Sequence, residues 1–232
     1  MKKYKIRKIN ETKLIGSLLI ITFIIPILNW VFVLSNFVKK DLSYFISHLE
    51  MFSFNIIVQL VYVICLLLLT SQLFHQLRFL NDKKIVFTTL IKIAEAFINI
   101  IFILLHCLIL IFLTYNLFHE HANVIFMKQF IFITVDNYIP LTSLSGIFFG
   151  LNMFLYTILL RKAQLIEKYI SYFALLAYSF VIIYDIMFIL IPHFTSHSIV
   201  KILFTAPVCF AQIALAINLI VKKNNIKQEV LI

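Results

Sequence analysis

Residues Ile91–Leu117 read IKIAEAFINIIFILLHCLILIFLTYNL. The stretch is apolar almost throughout and shows no alternation of apolar and polar positions, so it is not a barrel strand. At 1.5 Å per residue a helix of this length reaches about 40 Å, more than the roughly 30 Å of a bilayer's hydrocarbon core. A helix is also the only open-ended structure that satisfies its own backbone in lipid. The interior polar side chains are few: Lys92, Glu95, Asn99 and His106.

Five more stretches of the same kind lie on either side: Leu14–Val38, Met51–Leu73, Ile139–Leu160, Ile170–Ile191 and Ile199–Val221. Each is long enough to cross a membrane. Val124–Val135 is apolar but short and contains Lys128, so it reads as an interfacial helix or an extension of the fourth span. The expected fold is all-α: a polytopic bundle of six transmembrane helices in one membrane domain over residues 1–232.

Composition agrees. Of 232 residues, 62% are hydrophobic and 13% charged, against about 45–50% and 25% in soluble domains. That excludes a soluble domain, intrinsic disorder and a nucleic-acid partner. The formal net charge of +10 is read as topology and contact with anionic headgroups. Cys65, Cys107 and Cys209 lie in apolar runs without CxxC spacing and read as structural thiols. The basic start Met1–Lys8 and the apolar run after it lack a small-residue cleavage site and read as an uncleaved first span. Abundant Phe, Ile, Lys and Asn point to A+T-rich codons and a bacterial source.

The basic residues sort by side. Lys2, Lys3, Lys5, Arg7, Lys8, Lys13, Arg78, Lys83, Lys84, Arg161, Lys162, Lys168, Lys222, Lys223 and Lys227 fall on one side, and Lys39, Lys40, Lys128 and Lys201 on the other. By the positive-inside rule both termini are cytoplasmic. The expected location is a bacterial cytoplasmic membrane.

Polar groups within the bilayer are costly, so their positions are informative. Counting rise per residue places Asn29, Asn55, Gln59, His106 and Asp185 in the outer half. His106 and Asp185 come out level, and an imidazole N–H donating to the carboxylate is one expectation. Lys92, Glu95, Asn99, Asn152 and Gln212 fall in the inner half. Lys92 and Glu95, at i and i+3, share a helix face and can pair, with Lys92 snorkelling at the membrane edge. Each polar group has a structural reading, as a helix-to-helix contact, and a functional one, as a ligand or proton site. Gly146 and Gly150 form a GxxxG that lets helices approach closely, within the chain or across a dimer seam. Pro26 predicts a kink whose gap Asn29 faces.

The segment His119-Glu120-His121, with Asp136 beyond it, lacks the HExxH spacing of zincins and reads as solvated loop. No Walker lysine motif, GxSxG elbow, CxxCH haem motif or arginine ladder occurs. No metal site and no cofactor are expected.

Several elements carry a family resemblance. Thr12-Lys-Leu-Ile-Gly16 is similar to an opening a-x-L-x-G. Ile91-Lys-Ile-Ala-Glu-Ala-Phe-Ile98 is similar to a fR-x-x-E-a element, with Lys92 for Arg and Glu95 as the acid. Ile147-Phe-Phe-Gly-Leu-Asn152 is similar to fFG-l-h, with Asn152 for His. Ala211-Gln-Ile-Ala-Leu-Ala216 is similar to a-E-l-a-l-a, with Gln212 for Glu. The chain thus resembles a bacterial family of six-helix integral membrane proteins called domain of unknown function 4386. It departs at Ile166–Ser171, where the family's Pro and Gly are missing. The resemblance implies topology; the family carries no established activity.

The leading functional expectation is a non-enzymatic protein that binds or transports a small or lipid-like ligand at intramembrane polar sites. The candidate site residues are Lys92, Glu95, His106, Asp185, Asn55, Gln59, Asn152 and Gln212. Lys92 and Glu95 would form an inner gate or anchor, His106 and Asp185 an outer ligand or proton site. Alternatives are a scaffold subunit of a membrane complex and an intramembrane enzyme. The expected partners are the bilayer, such a ligand, and a membrane-protein partner or second copy.

Overall fold

A computed structural model describes residues 2–37, 42–80, 82–118, 129, 131, 139–191 and 198–221. Among the described residues seven α-helices have given bounds: α1 Lys2–Phe32, α2 Leu42–Ser47, α3 Leu49–Leu77, α4 Lys83–Phe118, α5 Ile139–Lys162, α6 Lys168–Leu190 and α7 Ser198–Val221. All but α2 are long and apolar enough to cross a membrane. The chain is a multi-pass membrane protein. Residues 119–128, with the His119-Glu120-His121 segment, and Asp136 lie outside the described residues. So does most of 124–135, although Ile131 is helical and buried.

The helices are longer than their apolar stretches where the ends are capped. α4 begins about two turns before Ile91 because Asp82 stops the chain there. Its Oδ1 accepts the backbone N–H of Lys84 at 3.0 Å, which satisfies one of the free donors of a helix start. Its other oxygen takes Lys162 Nζ at 2.8 Å. At the end of α5, Gln164 adopts φ 56°, and the N–H of Leu165 returns to Leu160 O at 2.9 Å. This is a Schellman ending with glutamine at the position glycine favours.

Each spanning helix packs on two others. The pairs α1–α3, α3–α4, α4–α5, α5–α6, α6–α7 and α7–α1 close a ring. Lys162 reaching Asp82, and His75 Nδ1 lying 3.7 Å from Glu11 Oε2, place the α3–α4 turn, the α5–α6 turn and the start of α1 at one end. This grouping matches the sorting of the basic residues; it will be called the terminal end, and the opposite one the far end.

The core divides in two. Toward the terminal end, Ile15, Leu19, Leu73, Ile85, Tyr156, Leu160, Ala177 and Leu215 belong to one buried cluster. Toward the far end, Val33, Phe37, Phe45, Phe52, Ile109, Leu113 and Ile131 form another. Phe37, Phe45 and Phe52 pack ring on ring, with centroids 5.0–5.7 Å apart. This aromatic group is why the six-residue α2 is ordered: Phe45, its inward residue, is 0% exposed. Cys65, Cys107 and Cys209 are free and only half-buried, not core thiols as expected.

Candidate functional site

Most of the intramembrane polar groups join helices. On the far side the chain of bonds starts at Asn29, whose Nδ2 donates to Asn55 Oδ1 at 2.8 Å. Gln59 Nε2 donates to the same oxygen at 2.9 Å. His106 Nδ1 lies 3.1 Å from Gln59 Oε1, and Phe52 stacks edge-on to the imidazole at 5.5 Å. One network thus ties α1, α3 and α4. It is the outer layer foreseen from depth, with Asp185 missing from it.

Asp185 belongs elsewhere. The expected His106–Asp185 pair does not form, because His106 turns to α3 and α5 lies between α4 and α6. Asp185 is carried by α6, and its carboxylate packs against α5 within hydrogen-bonding reach of the Ser143 hydroxyl. Gly146 makes the room: a Cβ there would run into the Asp185 carboxylate. A Cβ at Gly150 would meet Ile182 Cγ1 at 2.7 Å. The GxxxG therefore serves packing within the chain, α5 against α6.

Toward the terminal end, Lys92 Nζ lies 3.0 Å from Glu95 Oε2 and 3.3 Å from Oε1. Asn152 Nδ2 on α5 donates to Glu95 Oε2 at 3.1 Å. Lys92 and Glu95 share a face as their spacing foretold, but Lys92 does not snorkel. It is 1% exposed, with its ammonium 5.5 Å from the Phe149 ring centroid. Two acceptor oxygens and an aromatic face hold it inside more strongly than its stem can reach water. Gln212 is also apart from Glu95: its Oε1 accepts the Tyr178 hydroxyl at 2.6 Å, joining α6 to α7.

A cavity of about 330 Å³ lies between the two polar layers. Its walls come from α1 (Ile25, Pro26, Asn29, Trp30), Leu34 just beyond it, α3 (Val58, Gln59, Tyr62), α4 (Asn99, Phe102) and α5 (Thr142, Ser145). Asn29 and Gln59 belong to the far network. Asn99 links to the other layer, since its Nδ2 donates to the backbone oxygen of Glu95 at 2.8 Å and lies 3.4 Å from Ser145 Oγ. Lys92, Glu95, His106 and Asp185 do not line it. Pro26 and Asn29 share the wall, as the kink argument implied. Trp30, Tyr62, Thr142 and Ser145 escaped the sequence reading. Tryptophan and tyrosine count as apolar there, and single hydroxyls are common in spans. The one available signal was the spacing of Ser145 and Asn152, which puts both on one side of α5.

Among the described residues no group of three His, Cys, Asp or Glu side chains could hold a metal ion. What the cavity offers is neutral hydrogen-bonding groups on an apolar wall, suited to holding a molecule. No nucleophile and base converge on it.

The model of a family described as a domain of unknown function, DUF4386, matches residues 14–222. The chain belongs to that family. The match takes in all six spans of this DUF4386 member, from the first residues of the α1 apolar run to the end of α7. No curated protein and no solved structure matches the chain.

Proposed function

We propose that the protein binds a small or lipid-like ligand in the cavity between its two polar layers, without catalysing a reaction. The observation that carries this reading is the cavity itself. Its volume of about 330 Å³ is at the lower end of ligand pockets, which run from about 300 to 1,000 Å³. Polar groups in a membrane interior are costly and mark sites of function more often than accidents. Here Asn29, Gln59, Asn99 and Ser145 all reach one space.

The roles of the expected residues shift accordingly. Lys92 and Glu95, with Asn152, act as the anchor between α4 and α5 rather than as a gate. His106 orients Gln59 at the cavity wall. Asp185 and Gln212 fix α6 to its neighbours. The bias of basic residues toward the terminal end supports cytoplasmic termini in a bacterial cytoplasmic membrane.

A photocrosslinker tests the reading. p-Benzoylphenylalanine replaces Tyr62, which lines the cavity, or Phe97, which is 62% exposed on the outer surface of α4. After irradiation in cells, the Tyr62 site should carry a defined small-molecule adduct, and the Phe97 site bulk phospholipid. Identical bulk phospholipid at both sites would overturn the proposal. A protein adduct at Phe97 with none at Tyr62 would favour a scaffold instead.

A further inference from the structure

We infer that the cavity takes an uncharged amphiphile with a hydroxyl head, arriving sideways from the bilayer past Pro26 and Trp30. The inference rests on the cavity being a binding site and goes on to name the chemistry of what it binds.

Entry along the helix axis is blocked at both ends. The far cluster around Phe37, Phe45 and Phe52 closes one end, and the cluster around Leu19, Leu73 and Tyr156 the other. Of the twelve lining residues only Pro26 and Trp30 are exposed, Trp30 at 41%. Both lie well inside the α1 span, Glu11–Asn36. The rim is therefore apolar and set at membrane depth. A molecule that crosses it is already dissolved in lipid.

The lining then sorts ligands by head group. Among the described residues no Asp, Glu, Lys, Arg or His lines the cavity. The nearby charges of Lys92 and Glu95 are spent on each other, and His106 faces Gln59. An ionic head would be desolvated there without a counter-charge, which is prohibitive. A neutral head finds partners. Asn99 uses its Nδ2 on Glu95 O and toward Ser145, which leaves its Oδ1 for a donor. The Ser145 hydroxyl has its own proton to give. One acceptor and one donor match a head that both donates and accepts, which is a hydroxyl. The apolar wall of Ile25, Val58 and Phe102 takes the start of the chain.

Trp30 is the single tryptophan and stands in the rim, so its fluorescence reports occupancy. The protein in lipid nanodiscs is titrated with a monoacylglycerol carrying a dibrominated acyl chain, with the free fatty acid of the same chain, and with the matching lysophosphocholine. The monoacylglycerol should quench Trp30 saturably; the two charged amphiphiles should quench only in proportion to their partitioning. Ser145→Ala and Asn99→Leu should each weaken saturable binding about five- to tenfold, the worth of one hydrogen bond. Saturation by the fatty acid or the phosphocholine instead would overturn the head-group assignment while leaving the cavity a binding site. Saturation by none of them, with helicity and elution unchanged, would overturn both.

Discussion

The ammonium of Lys92 lies 3.0 Å from the Glu95 carboxylate with both side chains 1% exposed, inside a helix long and apolar enough to cross a membrane. An ion pair at that depth survives because its geometry is closed: the two oxygens face one ammonium, and Asn152 adds a donor from α5. Removing one partner strands the other. Lys92→Met should therefore cost about 3–5 kcal/mol, and Lys92→Met with Glu95→Gln should recover most of that. Unfolding of detergent-solubilised protein by graded denaturant checks it. A double variant no better than the single would contradict the pairing.

The contact between Gly146 and Asp185 makes a paired prediction. Gly146→Ala should destabilise the protein by about 1–3 kcal/mol through overpacking. In a background of Asp185→Ala the same change should cost far less, because the obstructing carboxylate is gone. Thermal melting of the four proteins gives the coupling. Oligomer size by light scattering should be the same in all of them, since both glycines pack inside the chain.

Asn55 holds the far network together by accepting from both Asn29 and Gln59. Interhelical hydrogen bonds in membranes average about 0.6 kcal/mol and reach about 1.7. Asn55→Leu removes two acceptor contacts and should cost about 1–3 kcal/mol. Melting temperature measures this. An unchanged value would mean that the network carries no stability.

Asp82 gives a pH dependence at the terminal end. The hydrogen bond from Lys162, followed by that from the Lys84 N–H, holds its carboxyl below the ordinary value of 3.8. A lowered folded-state value stabilises the fold fully above the ordinary one, and the effect is lost as pH falls through the lowered value. The contribution is small, because the site is exposed and screened. Asp82→Ala should melt lower than the parent at neutral pH, and the gap should close well below pH 3.8. A gap independent of pH would contradict it.

The spans were legible because hydropathy is a local property, and so was the Lys92–Glu95 pair, because i and i+3 on one helix must share a face. Depth was legible too, since rise per residue is constant: Asn29, Asn55, Gln59 and His106 do meet. Helix adjacency was not. Counting sets His106 and Asp185 level, yet one faces α3 and the other α5, and no count along a single helix reveals which neighbour it has. The same gap hid the cavity, whose wall takes one or two residues per turn from each of four helices. Lys92 was misplaced because snorkelling presumes a free ammonium, and here two oxygens on its own helix compete for it.

The central claim is a polar cavity within the membrane-spanning region, and the stretching frequency of a nitrile tests it most directly. p-Cyanophenylalanine replaces Tyr62, which lines the cavity, or Phe97, which is exposed on the outer surface of α4, and the infrared spectrum is read in proteoliposomes. The nitrile at Tyr62 should absorb at the higher frequency of a hydrogen-bonded group, and that at Phe97 at the frequency of a nitrile in hydrocarbon. Hydrocarbon-like frequencies at both positions would mean that no polar space exists between the two layers.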